Sequence, residues 1–151
     1  MYNLIVARIS KKNFEAVNNK DFDSILKQCD AKIHHRFGGN HALGGERHSR
    51  EVLSRWFQRL GRLSPELKLT VKDIWVKGWP NDTTVIMRWT ATDRDNPDGS
   101  PYRNHGVHII RMKWFKVVDI DANEDSEAVA QSMKIKVDAG WEEAGLPPLT
   151  S

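Results

Sequence analysis

One cysteine, Cys29, is all the sulfhydryl chemistry that 151 residues contain. Neither an intramolecular disulfide nor a cysteine metal cluster is therefore available to brace the fold, and Cys29 itself reads as a small buried residue at a helix end. Long apolar runs are missing as well. No stretch approaches the length of a membrane-spanning helix, and the opening MYNLIVARISKKN carries an apolar patch too short and wrongly flanked for a signal peptide. The expectation is a cytoplasmic protein with no membrane partner. Lysine and arginine blocks are absent: 23 basic residues are dispersed among 20 acidic ones for a net charge of +3, with no aromatic-basic repeat. That pattern predicts no nucleic-acid partner. Six histidines form no His-x-His or His-x-x-x-His pair with an inward carboxylate, so neither a metal site nor a cofactor is expected.

The composition that remains, 39% hydrophobic and 28% charged, suits one globular domain with a core and leaves too little chain for two. Residues 1–140 are expected to form that domain. Residues 141–151, with Gly145 and Pro147-Pro148, read as an irregular tail in which Trp141 can dock.

The chain opens with two predicted helices, one reaching about Asn19 and one over Phe22 to Cys29 capped by Asp21. Lys32 to Phe37 alternates as a strand, with Ile33, His35 and Phe37 on one side and His34 and Arg36 on the other. The glycine-rich GGNHALGGER that follows lacks the spacing and the lysine of a P-loop and reads as a turn or pocket lid. Ser49 then caps a helix whose Val52, Leu53, Trp56, Phe57 and Leu60 fall on one stripe. Leu67 to Lys77 changes phase near Asp73, which predicts a β-bulge there. After the last strand, Asp125 or Ser126 caps a helix running to about Val137, with Val129, Ala130, Met133 and Val137 as its apolar side.

Between these lie three strands, Thr83 to Asp93 and the two halves of NHGVHIIRMKWFKVVDID, which read as an antiparallel meander. Val85, Met87, Trp89 and Ala91 share the face that must be covered. Pairing Asp93 with Asn104 sets Trp89 beside His108 and Met87 beside Ile110. A three-residue loop Lys113-Trp114-Phe115 then sets Val118 beside Ile110 and Ile120 beside His108, whereas a one-residue slip would turn Val117, Asp119 and Asp121 inward. His35 and His108 are thereby the two inward histidines. If they share a cavity, one can act as general base while the other polarises a carbonyl or holds a water. Phe37, Trp56, Trp89, Ile110 and Ile120 are the expected apolar wall, with Trp56, Trp75 and Trp89 otherwise taken as core. On the outer face, Arg111 is expected to pair with Asp119 or Asp121. Val107 and Ile109 among Arg88, Thr90 and Arg111 suggest a homodimer interface.

The segments CDAKIHHRFGG, HSREVLSRWFQRL, LTVKDIWVKGWPNDTTVIMRW and NHGVHIIRMKWFKVVDID, with Asn123-Glu124-Asp125 before a last helix, resemble the SnoaL-like branch of the nuclear transport factor 2-like superfamily over roughly residues 13 to 137. The resemblance implies an α+β cone, a curved and mostly antiparallel sheet wrapped around helices. It also places His35 and His108 where relatives put polar pocket residues. Departures from particular enzymes of the superfamily are equally plain: no Arg-x-Asp pair occurs, the inward last-strand positions Ile120 and Ala122 are apolar, and Phe115 stands where a turn glycine is usual. Two functions fit. One is cofactor-independent acid-base catalysis of the isomerase, cyclase or hydratase type, related to polyketide cyclases and ketosteroid isomerases, on a small hydrophobic molecule; the other is a non-catalytic binding or dimerisation module.

Overall fold

The computed structural model describes residues 1–151. Helix α1 (Tyr2–Glu15) continues through a 3-10 turn, Ala16–Asn19, and α2 (Phe22–Gln28) leads directly into strand β1 (Cys29–Phe37). There follow β2 (Gly45–Arg47), α3 (Arg50–Leu63), the strands β3 (Lys68–Trp79), β4 (Asp82–Thr92), β5 (Arg103–Lys113) and β6 (Lys116–Glu124), and α4 (Ser126–Asp138). The strands make one curved, unclosed sheet in the order β2-β1-β6-β5-β4-β3. Only β1 and β6 run parallel. This is the expected α+β cone, and no helix is long and apolar enough to cross a membrane.

Local chemistry sets where the helices begin. Asp21, Ser49 and Asp125 accept hydrogen bonds from the N–H groups of Ser24, Val52 and Ala128 at 3.3, 3.2 and 3.2 Å, satisfying donors that the first helical turn leaves free. Helix α3 then buries Val52, Leu53, Trp56, Phe57, Leu60 and Leu63, the last five of them in one core cluster with Ile33, Ile120 and Met133. Burying each such side chain is worth about 1.5–3 kcal/mol, so this stripe dominates the packing of the cone. Under α1 a smaller cluster joins Val6 to Val85, Met87 and Met112.

Alternation identified the buried face of β4, and the bulge between Val71 and Asp73 lies where the phase change put it. The two meander registers differ from expectation, each by two residues. Trp89 opposes Gly106, Met87 opposes His108, and Val85 opposes Ile110. The reason is steric: a Cβ on residue 106 would lie 2.7 Å from Trp89 Cζ2 and 2.4 Å from the Asn123 carbonyl oxygen. Only glycine lets the indole lie across β5. At the far end the turn is two residues, Trp114 and Phe115, both left-handed with φ of 51° and 66°, as the tight hairpin geometry demands. A bulge between Arg111 and Met112 then sets Ile110 opposite Ile120 and His108 opposite Ala122, and brings Val117 rather than Val118 into the core. A slip of two leaves every other side chain on its predicted face.

Other departures have physical causes of their own. The end of the glycine-rich loop is strand β2, too short for alternation to be seen, pairing Arg47 with His35. Trp75 is not core but sits on the outer face, 54% exposed. On α4 the buried side includes Ser132 and Lys136, while Val137 is exposed. Lys136 Nζ donates to Ser132 Oγ at 2.8 Å, Ser132 donates to Asn96 Oδ1 at 2.6 Å, and the ammonium lies near the Tyr102 and Trp141 rings. Arg111 pairs with Asp82 at 3.0 Å, because Asp119 is bonded to His34 and Asp121 to Arg36. Residues 141–151 begin with a 3-10 turn, Glu142–Gly145, and then run against β2, with Ser151 N donating to Glu46 O at 3.3 Å.

Substituting Gly106→Ala should lower stability by about 1–3 kcal/mol through this overpacking, seen as a lower urea midpoint. An unchanged midpoint would refute the steric account of the register.

Candidate functional site

His35 is held by β1 and stacks its ring obliquely on Trp56, centroids 4.5 Å apart. Its Nδ1 receives a hydrogen bond from Arg47 Nη1 at 2.5 Å, an interaction made possible by the His35–Arg47 pairing of β1 and β2. Two strands away on β5, His108 receives a bond at Nδ1 from Trp89 Nε1 at 2.7 Å. The edge-on ring of Phe14 on α1 lies 5.1 Å from the His108 ring. Strand β6 runs between them, with Ile120 opposite His35 and Ala122 opposite His108.

These bonds decide the tautomers. Indole and guanidinium nitrogens only donate, so each Nδ1 is the acceptor, and a neutral ring then carries its hydrogen on Nε2. Neutrality follows from burial. His35 is pushed well below the ordinary imidazole range, first by desolvation and then by the Arg47 charge. His108 is lowered to about 4 by desolvation. Neither Nε2 has an acceptor within the protein.

Both rings line one void of about 140 Å³ between the concave sheet and the helices. Phe37, Trp56, Trp89, Ile110 and Ile120 line it too, so all seven residues singled out in the sequence come together. Sequence reasoning missed Tyr102 and Asn104, which lie on the same wall. Tyr102 Oη accepts from Asn104 Nδ2 at 3.0 Å, which leaves the phenolic hydrogen free. Tyr102 belongs to the breaker-rich connection before β5, where no periodicity announces an inward side chain. Arg47 was missed for the same reason. Cys29 also borders the void, its thiol pushed up to about 11 by burial. No aspartate, glutamate, lysine or arginine lines it, and no three metal-ligating side chains gather anywhere in the chain.

Comparison with known proteins places this geometry in context. The SnoaL-like domain profile matches residues 11–120. Among solved structures the chain is similar to an NTF2-like protein from Burkholderia thailandensis E264, with 20% identity and a TM-score of 0.67 over 84% of this chain and 95% of that one. It is also similar to Bal32a from a soil-derived mobile gene cassette, with 19% identity and a TM-score of 0.65 over 81% and 91% of the two chains. A third is a Sinorhizobium meliloti protein provisionally named a polyketide cyclase, with 14% identity and a TM-score of 0.57 over 73% and 88%. At such identities the likeness is one of fold. No curated protein matches significantly.

The histidines predict a pH dependence. Both have folded-state pKa values below the ordinary 6.5, so between about pH 6.5 and 4 the unfolded chain binds protons that the folded chain excludes. Stability should therefore be full above 6.5 and fall as pH drops through that window. In His108→Gln, which keeps an acceptor for Trp89, urea midpoints measured from pH 7 to 4.5 should fall less steeply; an identical slope would contradict the assignment.

Proposed function

The chain belongs to the SnoaL-like family, and from that premise we propose that it is a binding protein whose cavity takes a small apolar molecule carrying a hydrogen-bond acceptor. The observation that carries this reading is the pair of Nδ1 bonds at His35 and His108. A general base needs a free lone pair and a pKa near the working pH. Here both imidazole lone pairs are occupied, and the Cys29 thiol is held protonated at neutral pH. What the two imidazoles and the phenol offer instead is donors, two Nε2–H groups and the Tyr102 hydroxyl, on a mostly apolar wall that includes Phe37, Trp56, Trp89, Ile110 and Ile120 and the uncharged polar side chains of Ser10, Asn13, Gln28 and Ser64. An apolar pocket with a few oriented polar groups is the usual form of a small-molecule site. Size narrows the class: the void is about 140 Å³, and a cavity of about 150 Å³ holds benzene.

Cyclohexanone provides the test. Calorimetric titration should give binding that weakens about tenfold in His108→Ala, roughly 1.4 kcal/mol, and equal affinities would remove the imidazole from the site. Wild-type protein should not accelerate exchange of the ketone's α-hydrogens in D2O. Acceleration would restore the acid-base reading.

We further propose that the outer sheet face pairs with a second copy of the chain. Trp75, Ile86 and Ile109 stand in one row across β3, β4 and β5, each more than a third exposed. Around them lie the ion pairs Arg88–Asp73, Arg111–Asp82 and Arg36–Asp121. An apolar centre with a rim of both charge signs suits a two-fold, self-complementary contact. Sedimentation velocity at micromolar concentration should show a dimer that Ile109→Glu converts to a monomer, and a monomeric wild type would overturn the assignment.

A further inference from the structure

Arg47 is the largest fully buried side chain of the protein, and its partners are all uncharged. Nε donates to Leu149 O at 2.9 Å, Nη2 to Gly44 O at 2.7 Å, and Nη1 to His35 Nδ1 at 2.5 Å, while the guanidinium carbon lies 5.4 Å from the Trp56 ring centroid. No carboxylate is within ion-pairing distance of it. Glu46, its neighbour in sequence, is bonded to His34. Nearby Arg59 adds a second buried cation whose acid, Glu143, lies 3.7 Å from Arg59 Nε and is shared with Arg62 at 2.5 Å. This end of the core therefore holds more positive than negative charge. A buried ion without a counter-charge is strongly unfavourable, because desolvation is not repaid by attraction.

We infer that the cavity's occupant is an anion, a small organic carboxylate that accepts the Nε2 hydrogen of His35 with the Arg47 guanidinium directly behind that ring. This rests on the binding reading and deepens it. The imidazole relays the charge: Arg47 bonded at Nδ1 polarises the ring and strengthens Nε2–H as a donor, so an ionised acceptor gains more than a neutral one. No acidic side chain on the cavity wall competes for that position or repels an anion. The remaining wall, with Phe37, Trp56, Ile110 and Ile120, takes the hydrocarbon part. A void of about 140 Å³ suits a chain or ring of about six carbons. Burial lowers Arg47 to about 10, which leaves it charged at neutral pH.

The test is calorimetric titration of the full chain at pH 7 with hexanoate, hexanamide and hexan-1-ol, three ligands that share one tail. Hexanoate should bind at least tenfold more tightly than either neutral ligand. The preference should collapse in His35→Phe, which removes the relay and keeps the cation, and also in Arg47→Gln. The wild-type comparison needs no variant, so a failure of Arg47→Gln to fold leaves the inference exposed to refutation. Neutral ligands binding as tightly as hexanoate would overturn the anion inference and leave the binding reading standing. Binding by none of the three would overturn both, and a preference for hexanoate that survives in His35→Phe would overturn the relay.

Discussion

The contact between Arg47 and His35 is the constraint on which the rest of the site depends. It joins a three-residue strand, a glycine-rich loop, the C-terminal residues and the cavity wall through one planar group whose directions are set by its own geometry. Because the guanidinium cannot accept, it dictates the tautomer of His35, and through the tautomer it dictates what the cavity offers an occupant. Trp89 does the same for His108 from strand β4 on the same concave face. Two unrelated donor-only groups thus impose one chemical outcome, two imidazole edges that give hydrogen bonds.

Gly106 shows how a single absence of side chain positions that second contact. The indole of Trp89 crosses β5 above residue 106 and reaches its diagonal neighbour His108 rather than the residue opposite. With the register expected from the turns, the two rings would have stood directly side by side. The diagonal arrangement aims the indole N–H at Nδ1 and leaves the far edge of the imidazole without a protein partner.

Faces were legible in the sequence, and registers were not. Period-two alternation names the inward residues of β4 and β5, and caps at Asp21, Ser49 and Asp125 announce the helices, because both signals are local. The distance over which two strands slide is non-local. It was settled by a glycine under an indole and by a left-handed Trp114-Phe115 turn, neither of which alters a hydropathy pattern. All seven cavity residues survived the error because the slip was even. Arg47, Tyr102 and Lys136 escaped notice for another reason. Each is a polar or amphipathic side chain wholly or partly buried by specific partners, and those partners lie far away in sequence or in irregular segments. The SnoaL-like fold by itself assigns no chemistry; the hydrogen-bond directions at two imidazoles say more about it than the family does.

The buried guanidiniums also order events during synthesis. Arg47 donates to the carbonyl of Leu149, and Arg59 to that of Pro147, residues separated by 102 and 88 positions along the chain. A nascent chain that has formed α3 and the first strands still lacks these carbonyls, and its two cations must stay hydrated until residues 147–149 have been made. Strand β1 meanwhile waits for β6, its parallel neighbour, which is also made late. Long-range closure of this kind slows folding, and it makes the C-terminal residues the step that dries the interior.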